Sequence, residues 1–262
     1  MDKLVSLRMP FPHPRTYEIV GANEDESVVR TLATTHGLYE PEIMLLLGCI
    51  VGPDAVCIDI GANIGTITIA MAALCTNGTV HAVEPIQRNY AFLERNLAAS
   101  KLSNVIPFNG GIFSTNCVLR FHYVEQFAAG AFYSPIGISD SREQTVEVAC
   151  LSLDTFVSNR NITRVDLIKI DVEGAEEDVL TGGANTLRRL RPNMIIEFNP
   201  LASSKFYGRN IRAIYDIVKD HGYVVSLIAR KGGGLMPIVS YDQLLESIEK
   251  QGGIGDIFCF LR

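Results

Sequence analysis

Apolar positions along this chain follow two alternating patterns. Short apolar runs that suit buried strands are followed by segments in which apolar residues recur at helical spacing, as at Ile64, Ile67, Met71 and Leu74. This alternation predicts parallel strands joined by right-handed crossovers, and therefore a doubly wound α/β sheet. The predicted strands are a run ending at Asp59, Val80–Glu84, Asn104–Phe108, Leu167–Asp171, Met194–Phe198, Tyr223–Ile228 and Ile257–Leu261.

Two regions lie outside this alternation. Residues 118–149 are rich in aromatic and β-branched side chains and lack a helical period, so we expect an antiparallel β insertion that covers the active site. The first 52 residues contain a helical candidate, Glu42–Leu47, and are expected to form a helical or extended segment that packs on the core. The predicted organisation is an N-terminal extension, residues 1–52, and one α/β domain, residues 53–262.

Composition and charge narrow the class of partner. The chain has 262 residues, of which 47% are hydrophobic and 20% are charged, as in a globular domain with a substantial core. The net charge of −6 disfavours a nucleic-acid partner, and no apolar run is long enough to span a bilayer. The six cysteines form no C-x-x-C pair and are expected to be reduced core residues. We therefore expect a cytoplasmic protein without a membrane partner, and a homodimer is left open.

The most informative segment is the turn between the first predicted strand and its helix. Gly61 and Gly65 let this backbone turn sharply and approach a ligand, because neither has a Cβ atom. Asp59 and Glu84 then lie at the ends of successive strands. Carboxylates at these positions suit amino groups and ribose hydroxyls, and Asp59 would repel a pyrophosphate.

The same turn discriminates between two cofactor classes. A dinucleotide-binding fingerprint that starts at Gly61 needs glycines where this chain has Asn63 and Thr66. Glu84 fits either class, since an acidic residue at this distance binds a ribose in both. The pattern therefore favours S-adenosylmethionine, which has a ribose but no phosphate, and predicts a methyltransferase. An NAD-dependent reductase remains the alternative.

A second group of polar residues follows the fourth predicted strand, where open α/β sheets bind ligands. Asp171 and Glu173 are expected to face the crevice beside the first turn, where one could hold cofactor or metal and the other orient or deprotonate a substrate hydroxyl. The alternative is that they only stabilise the start of the next helix, which is our interpretation of Glu176 and Glu177. Lys169 lies in the middle of an apolar run and needs a partner if it is buried.

In combination, these motifs resemble the FkbM family of S-adenosylmethionine-dependent methyltransferases from about Tyr39 onward. The matching segments are Tyr39–Glu42, Asp59–Gly65, Glu84-Pro85, Leu153-Asp154 and Lys169–Glu176. The resemblance implies a Rossmann-like sheet of seven strands with a reversed last strand. It also implies methylation of a hydroxyl group on a sugar or natural product.

The resemblance also implies which residues contact the cofactor. In this scheme the turn after the first strand cradles the methionine portion and Glu84 holds the ribose. Glu40 is expected to join them, although a solvated acid at a helix start is the alternative. Asn109 is a further candidate within Asn109-Gly110-Gly111, a segment that departs from the family's usual small-residue pattern. The complete set of cofactor candidates is Glu40, Asp59, Gly61, Asn63, Gly65, Glu84 and Asn109.

Transfer of a methyl group to oxygen requires removal of the hydroxyl proton. Asp171, Glu173 and Glu197 are the preferred bases or hydroxyl orienters because of their predicted strand-end positions, and His36 is a weaker candidate. Some methyltransferases of this architecture hold a divalent ion with carboxylates after the fourth and fifth strands. Asp171, Glu197 and Asn199 could bind Mg²⁺ in this way, but they could equally orient substrate without metal.

The acceptor is expected to be a small molecule whose identity the sequence does not reveal. Aromatic residues could stack on a sugar or polyketide, although core packing explains most of them equally well. These residues are Phe121, Tyr123, Phe127, Phe132, Tyr133 and Tyr207. A non-catalytic regulator that binds S-adenosylmethionine is a further alternative, and the Asp171-Val-Glu173 segment is the argument against it.

Overall fold

The computed structural model describes residues 2–9, 14–22, 28–124, 132–133, 143–230 and 234–261 of the chain. In chain order the first elements are β1 (Asp2–Met9), β2 (Arg15–Ala22), α1 (Val28–Thr34), α2 (Pro41–Ile50), β3 (Val56–Ile60), α3 (Thr66–Leu74), β4 (Thr79–Glu84), α4 (Gln87–Ser100) and β5 (Val105–Asn109). The next four are β6 (Gly111–Phe113), β7 (Cys117–Val124), β8 (Phe132–Tyr133) and β9 (Glu143–Ser152). The remaining elements are α5 (Leu153–Asn159), β10 (Leu167–Ile170), α6 (Glu176–Gly182), α7 (Ala184–Leu190), β11 (Asn193–Phe198), α8 (Pro200–Tyr207), α9 (Arg212–Asp220), β12 (Val224–Ile228), β13 (Leu235–Ile238), α10 (Tyr241–Lys250) and β14 (Gly255–Phe260).

The main sheet has the strand order β13-β12-β14-β11-β10-β3-β4-β5. Neighbouring strands from β11 to β5 are parallel, whereas β14 runs antiparallel between β11 and β12. The α/β fold class and the reversed last strand are thereby confirmed. The sheet has one strand more than the expected seven, because β13 pairs with β12 at the edge. That strand was not predicted since it contains Pro237, which interior strands avoid and edge strands tolerate.

The predicted antiparallel insertion is a second sheet with the order β6-β9-β7-β8. β7 pairs antiparallel with both β8 and β9, and β6 pairs parallel with the end of β9. Residues 125–131 and 134–142 of the insertion, including the aromatic candidate Phe127, lie outside the described residues. That the insertion covers the active site stays a prediction.

The N-terminal segment packs on the main domain. β1 and β2 form an antiparallel pair, and the predicted helix 42–47 is the longer α2, which begins at Pro41 because proline suits the first helical turn. Leu7, Ile19, Leu32 and Leu47 from these elements are fully or almost fully buried in one apolar cluster with α3. The domain boundary at residue 52 remains a prediction. No helix in the described part of the chain combines the length and the apolarity that a membrane span needs.

Strand alternation separates the apolar and the polar faces of the sheet near its carboxyl edge. Ile58 and Ile60 of β3 point into the apolar cluster formed with α5, α6 and α9. Asp59 points to the opposite face, where Lys169 is its register partner on β10. Glu197 of β11 lies on this second face as well, because it is two residues beyond the register partner of Lys169. One face of the sheet therefore gathers charged residues at its carboxyl edge.

β3 and β10 are adjacent at the switch point, where the chain leaves one half of the sheet for the other. Gly61, just after β3, has a φ of 88°, and a Cβ atom there would lie 1.8 Å from the carbonyl oxygen of Asp171. The Asp171 N–H also donates to the carbonyl of Ile60 at 3.0 Å. Both the backbone angle and the close approach require glycine at this position.

The substitution Gly61→Ala is expected to cost at least about 3 kcal/mol in unfolding free energy, because strain at positive φ and a backbone clash add. Gly222→Ala is the matched control, since Gly222 has a φ of 83° and open space around its missing Cβ. The control should lose only about 1–2 kcal/mol. Urea unfolding measures both losses, and equal losses would show that the contact with Asp171 does not constrain the fold.

Candidate active site

One pocket opens at the carboxyl ends of β3, β4, β10 and β11. Phe113 of β6 and Phe121 of β7 also line it. Eight predicted site residues meet in its lining, namely Glu40, Asp59, Gly61, Asn63, Glu84, Asp171, Glu173 and Glu197. Among the described residues of this lining, Lys169 is the only basic side chain. The pocket is thus strongly acidic.

Backbone hydrogen bonds tie the turn after β3 to the end of β4. The Gly61 N–H donates to the carbonyl of Val83 at 3.0 Å. The carboxylate of Glu84 accepts from the Asn63 N–H at 2.9 Å and from the Ile86 N–H at 2.8 Å. Asn63 has a φ of 50°, a conformation that asparagine tolerates better than most residues. Glu84 therefore holds the turn in shape.

Glu84 keeps the capacity to bind a ligand as well. Burial raises its pKa to about 7, although the bonds from Ile86 and Asn63 act in the opposite direction. The Asn89 side chain also donates to this carboxylate, and because its two oxygens offer about four lone-pair positions, one position stays free. A hydroxyl group in the pocket could donate to it.

Asp59 is 1% exposed and is only partly satisfied by the protein. Its Oδ2 accepts from the Thr68 hydroxyl at 2.5 Å, whereas Oδ1 has no hydrogen-bond partner among the described residues. Burial raises the pKa of this carboxyl, and the nearby Lys169 opposes that effect. A buried oxygen without a partner is costly, so a donor from a ligand would be stabilising here.

Lys169 is 3% exposed and finds the partner that the sequence analysis required. Its Nζ lies 2.7 Å from Oδ2 of Asp171. Burial alone would lower the pKa of this ammonium, but Asp171, Glu40 and Asp59 together raise it well above its ordinary value. The lysine therefore stays charged, binds Asp171 directly and attracts the carboxylates of Glu40 and Asp59.

Glu40 lies at the N-terminal end of α2 in the left-handed region, with a φ of 41°. Its Oε2 is buried and has no hydrogen-bond partner in the described part of the chain. Burial raises the pKa of Glu40 to about 8, with Lys169 opposing and Asp171 adding to the shift. The alternative of a fully solvated carboxylate does not fit this burial.

Glu173 and Glu197 are two further acidic residues of the pocket lining. Burial and the neighbouring Asp171 raise the pKa of Glu173 to about 8, and Glu197 is raised well above its ordinary value by the same causes. Glu197 also has Asp256 of β14 as its direct register partner, and like charges that face each other across strands repel. Both carboxyl groups therefore keep their protons to higher pH than an ordinary glutamate does.

Four sequence candidates lie outside the pocket lining. Gly65 forms the turn into α3, and a Cβ there would lie 2.7 Å from Cδ1 of Leu93. The Asn109 side chain donates to the carbonyl of Glu84 at 2.9 Å, which supports the neighbouring loop. His36 is exposed. The fourth is Asn199, which the sequence analysis predicted as a possible Mg²⁺ ligand.

Two of the three residues proposed to hold Mg²⁺, Asn199 and Asp171, are already engaged within the protein. Oδ1 of Asn199 accepts from the Ala202 N–H at 3.0 Å and caps α8, whose first residue is Pro200. Asp171 is paired with Lys169. In the described ranges, no three His, Cys, Asp or Glu side chains are grouped to hold a metal ion. These residues therefore fit a metal poorly, and the Asn-Pro pair is better explained as a helix start.

Sequence reasoning missed two contributors to this region. Thr68 lies in the first turn of α3 and donates to one oxygen of Asp59, but a threonine within an apolar helix gave no signal of that role. Asp256 precedes the predicted last strand by one residue, and its position opposite Glu197 depends on a long-range strand pairing. Asp154 of the resembling segments lies elsewhere, where its carboxylate accepts from the Thr186 N–H at 2.7 Å beside the start of α7.

The sequence of this chain is similar to those of known methyltransferases. The model of the methyltransferase FkbM domain matches residues 59–225. The hexuronic acid methyltransferase AglP of Haloferax volcanii is 30% identical over 136 residues, which are 52% of this chain and 52% of that protein. The 2-O-methyltransferase NoeI of Sinorhizobium fredii is 28% identical over 151 residues, which are 53% of this chain and 61% of that protein.

A solved structure agrees with the fold. The O-methyltransferase from Bacillus cereus in complex with SAH superposes with a TM-score of 0.52 at 14% identity, over 92% of each chain. The chain spans only about half to three fifths of the length of the two curated relatives named above. Because the family model extends from the end of β3 to β12 and so includes more than half of the chain and most of the pocket, the chain belongs to the methyltransferase FkbM domain family.

Proposed function

We propose that this protein is a methyltransferase that transfers the methyl group of S-adenosylmethionine to a hydroxyl group of a sugar or natural-product small molecule. The observation that carries the proposal is the acidic pocket at the switch point, with a single basic side chain among its described lining residues. The family membership supports the methyltransferase class. The name of AglP supports a sugar-like acceptor, and the name of NoeI supports transfer to oxygen.

The buried donors and acceptors of the pocket fit the proposed cofactor. S-adenosylmethionine has a cationic amino group and a cationic sulfonium, and the unpartnered oxygens of Glu40 and Asp59 would hold the amino end. Glu84 would accept from the ribose hydroxyls. A pyrophosphate would meet these carboxylates with the same sign of charge, which disfavours an NAD-dependent reductase. When bound, the cofactor supplies an electrophilic methyl group.

The protein's own contribution to the reaction is positioning and proton transfer. The raised pKa of Glu173, about 8, makes it a stronger base than an ordinary carboxylate, and about a tenth of it is ionised at pH 7 and about half at pH 8. We assign to it the removal of the hydroxyl proton. The pKa of Glu197 is also raised, and in its protonated form Glu197 can donate a hydrogen bond that orients the hydroxyl. Asp171 is committed to Lys169, so we place it in a supporting position.

Cofactor affinity is expected to increase between about pH 6 and about pH 8, by up to about tenfold per pH unit. The reason is that the pKa of Glu40 is raised to about 8, and a protonated carboxyl does not attract an ammonium group. Binding should therefore release protons near neutral pH. Isothermal titration calorimetry with S-adenosylmethionine, in two buffers of different ionisation enthalpy, measures this release.

Glu40→Gln is the control for this titration, because it should remove most of the proton release. The alternative of an NAD-dependent reductase is tested in the same calorimeter by titrating the protein with NAD. Affinity that is independent of pH, or binding of NAD alone, would contradict the proposed cofactor site.

The substitution Glu173→Gln is expected to lower kcat by about 100-fold, because the amide cannot accept the hydroxyl proton. The dissociation constant of S-adenosylmethionine should stay within about twofold of the wild-type value, since carboxylates other than Glu173 bind the positively charged amino group of the cofactor. Formation of S-adenosylhomocysteine with a panel of hydroxylated sugars and natural products measures turnover. Glu246→Gln is a matched control, because Glu246 is exposed and pairs only with Lys250 on α10 in the described structure.

Wild-type turnover in Glu173→Gln would remove this residue from catalysis. Tight binding of S-adenosylmethionine without turnover of any acceptor by the wild-type protein would instead favour the non-catalytic regulator.

A further inference from the structure

The loop between β10 and α6, residues 171–175, has an unusual backbone. Glu173 has a φ of 55° and Gly174 a φ of 105°, so two consecutive residues occupy the left-handed region. A side chain at Gly174 would also collide with the ring of Tyr207, since its Cβ would lie 2.8 Å from Cε2. Positive φ is costly for a glutamate and persists only when surrounding contacts impose it.

Glu176 supplies the contacts that impose this conformation. Its side chain is fully buried in the first turn of α6, and its Oε1 accepts from the Val172 N–H and from the Gly174 N–H, both at 3.1 Å. The two amides flank Glu173 in the sequence. Burial raises the pKa of Glu176 to about 7, and these amide hydrogen bonds act in the opposite direction because they are stronger when the acceptor is ionised. A single carboxylate thus clamps the backbone on both sides of Glu173.

This contact differs from ordinary stabilisation of a helix start. The two N–H groups belong to the loop that precedes α6, not to the helix itself. Glu177, the next residue, faces Arg209 with an N–O distance of 3.8 Å and makes no contact of this kind in the described structure. The sequence analysis interpreted Glu176 and Glu177 as charges that only stabilise the start of the helix. For Glu176 this interpretation is incomplete, because its carboxylate also binds the preceding loop.

We propose that Glu176 is a positioning residue, which holds Glu173 in the geometry from which it deprotonates the acceptor hydroxyl. The proposal rests on the methyltransferase function proposed above. Glu176 does not belong to the pocket lining, so it acts through Glu173 and not on the substrate.

The carboxylate of Glu176 has a second, electrostatic influence on Glu173. The pKa of Glu173 is raised by burial, by Asp171 and by Glu176, and it is lowered by Lys169. Glu197 of β11 is the other acidic group that interacts with Glu173. Removing the charge of Glu176 while keeping its hydrogen bonds should therefore shift the titration of Glu173 without displacing it.

Two variants separate the geometric effect from the electrostatic one. Glu176→Gln keeps an oxygen that accepts from both amides, so kcat should stay within about threefold while the rising limb of its pH profile moves to lower pH. Glu176→Ala loses the clamp, and its kcat should decrease by ten- to about a hundredfold because a small misplacement of a reacting group is costly. The dissociation constant of S-adenosylmethionine should stay within about twofold in both variants. Glu177→Ala is the matched control and should behave as wild type.

Amide hydrogen exchange gives a readout that does not depend on turnover. Val172 and Gly174 should exchange slowly in the wild type and in Glu176→Gln, and much faster in Glu176→Ala. Because the glutamine variant keeps the clamp, it tests the proposal even if the alanine variant does not fold.

The outcomes distinguish the two proposals. Wild-type kcat in Glu176→Ala, or an unmoved pH profile in Glu176→Gln, would overturn the positioning role and leave the methyltransferase function intact. Absence of turnover by the wild-type protein would overturn both.

Discussion

The structure depends on one buried ammonium group, that of Lys169, at the carboxyl edge of the sheet. Its charge interacts with the carboxyl groups of five acidic residues: Glu40, Asp59, Asp171, Glu173 and Asp256. One positive charge cannot neutralise this many carboxylates, so burial raises the pKa of several of them and leaves polar oxygens without partners. The free protein therefore carries a local excess of buried acidic groups. A cationic ligand is the natural way to relieve it, because buried charges are tolerated only when they are paired.

The fold explains why these groups meet. Strand alternation sends Asp59 and Lys169 to the same face as register partners, and the contact between Gly61 and the Asp171 backbone brings the two loops of the switch point together. Glu84 completes the frame, since its carboxylate fixes the turn through Asn63. The residues proposed to bind the cofactor and those proposed to act on the acceptor are thus parts of one continuous arrangement. A substitution that moves the loop after β3 should therefore also move the loop after β10, and the reverse.

Local sequence patterns were sufficient for much of this picture. Asp59, Glu84 and Asp171 each follow an apolar run, and the carboxyl ends of parallel strands necessarily meet at one edge, so their convergence could be predicted. The pairing of Glu197 with Asp256 could not, because it depends on the register of a reversed strand about sixty residues away in the sequence. The clamp by Glu176 was also missed, since a glutamate in the first helical turn has the same sequence signature whether or not it reaches back to the preceding loop.

The most direct test of the account is a crystal structure of the protein with S-adenosylmethionine bound. The account predicts that the amino group of the ligand lies within hydrogen-bonding distance of the carboxylates of Glu40 or Asp59, and that the ribose hydroxyls contact Glu84. The methyl group should face Glu173. A ligand bound outside this pocket, or one whose ribose and amino group avoid these carboxylates, would contradict the claim that the acidic switch point is the cofactor site.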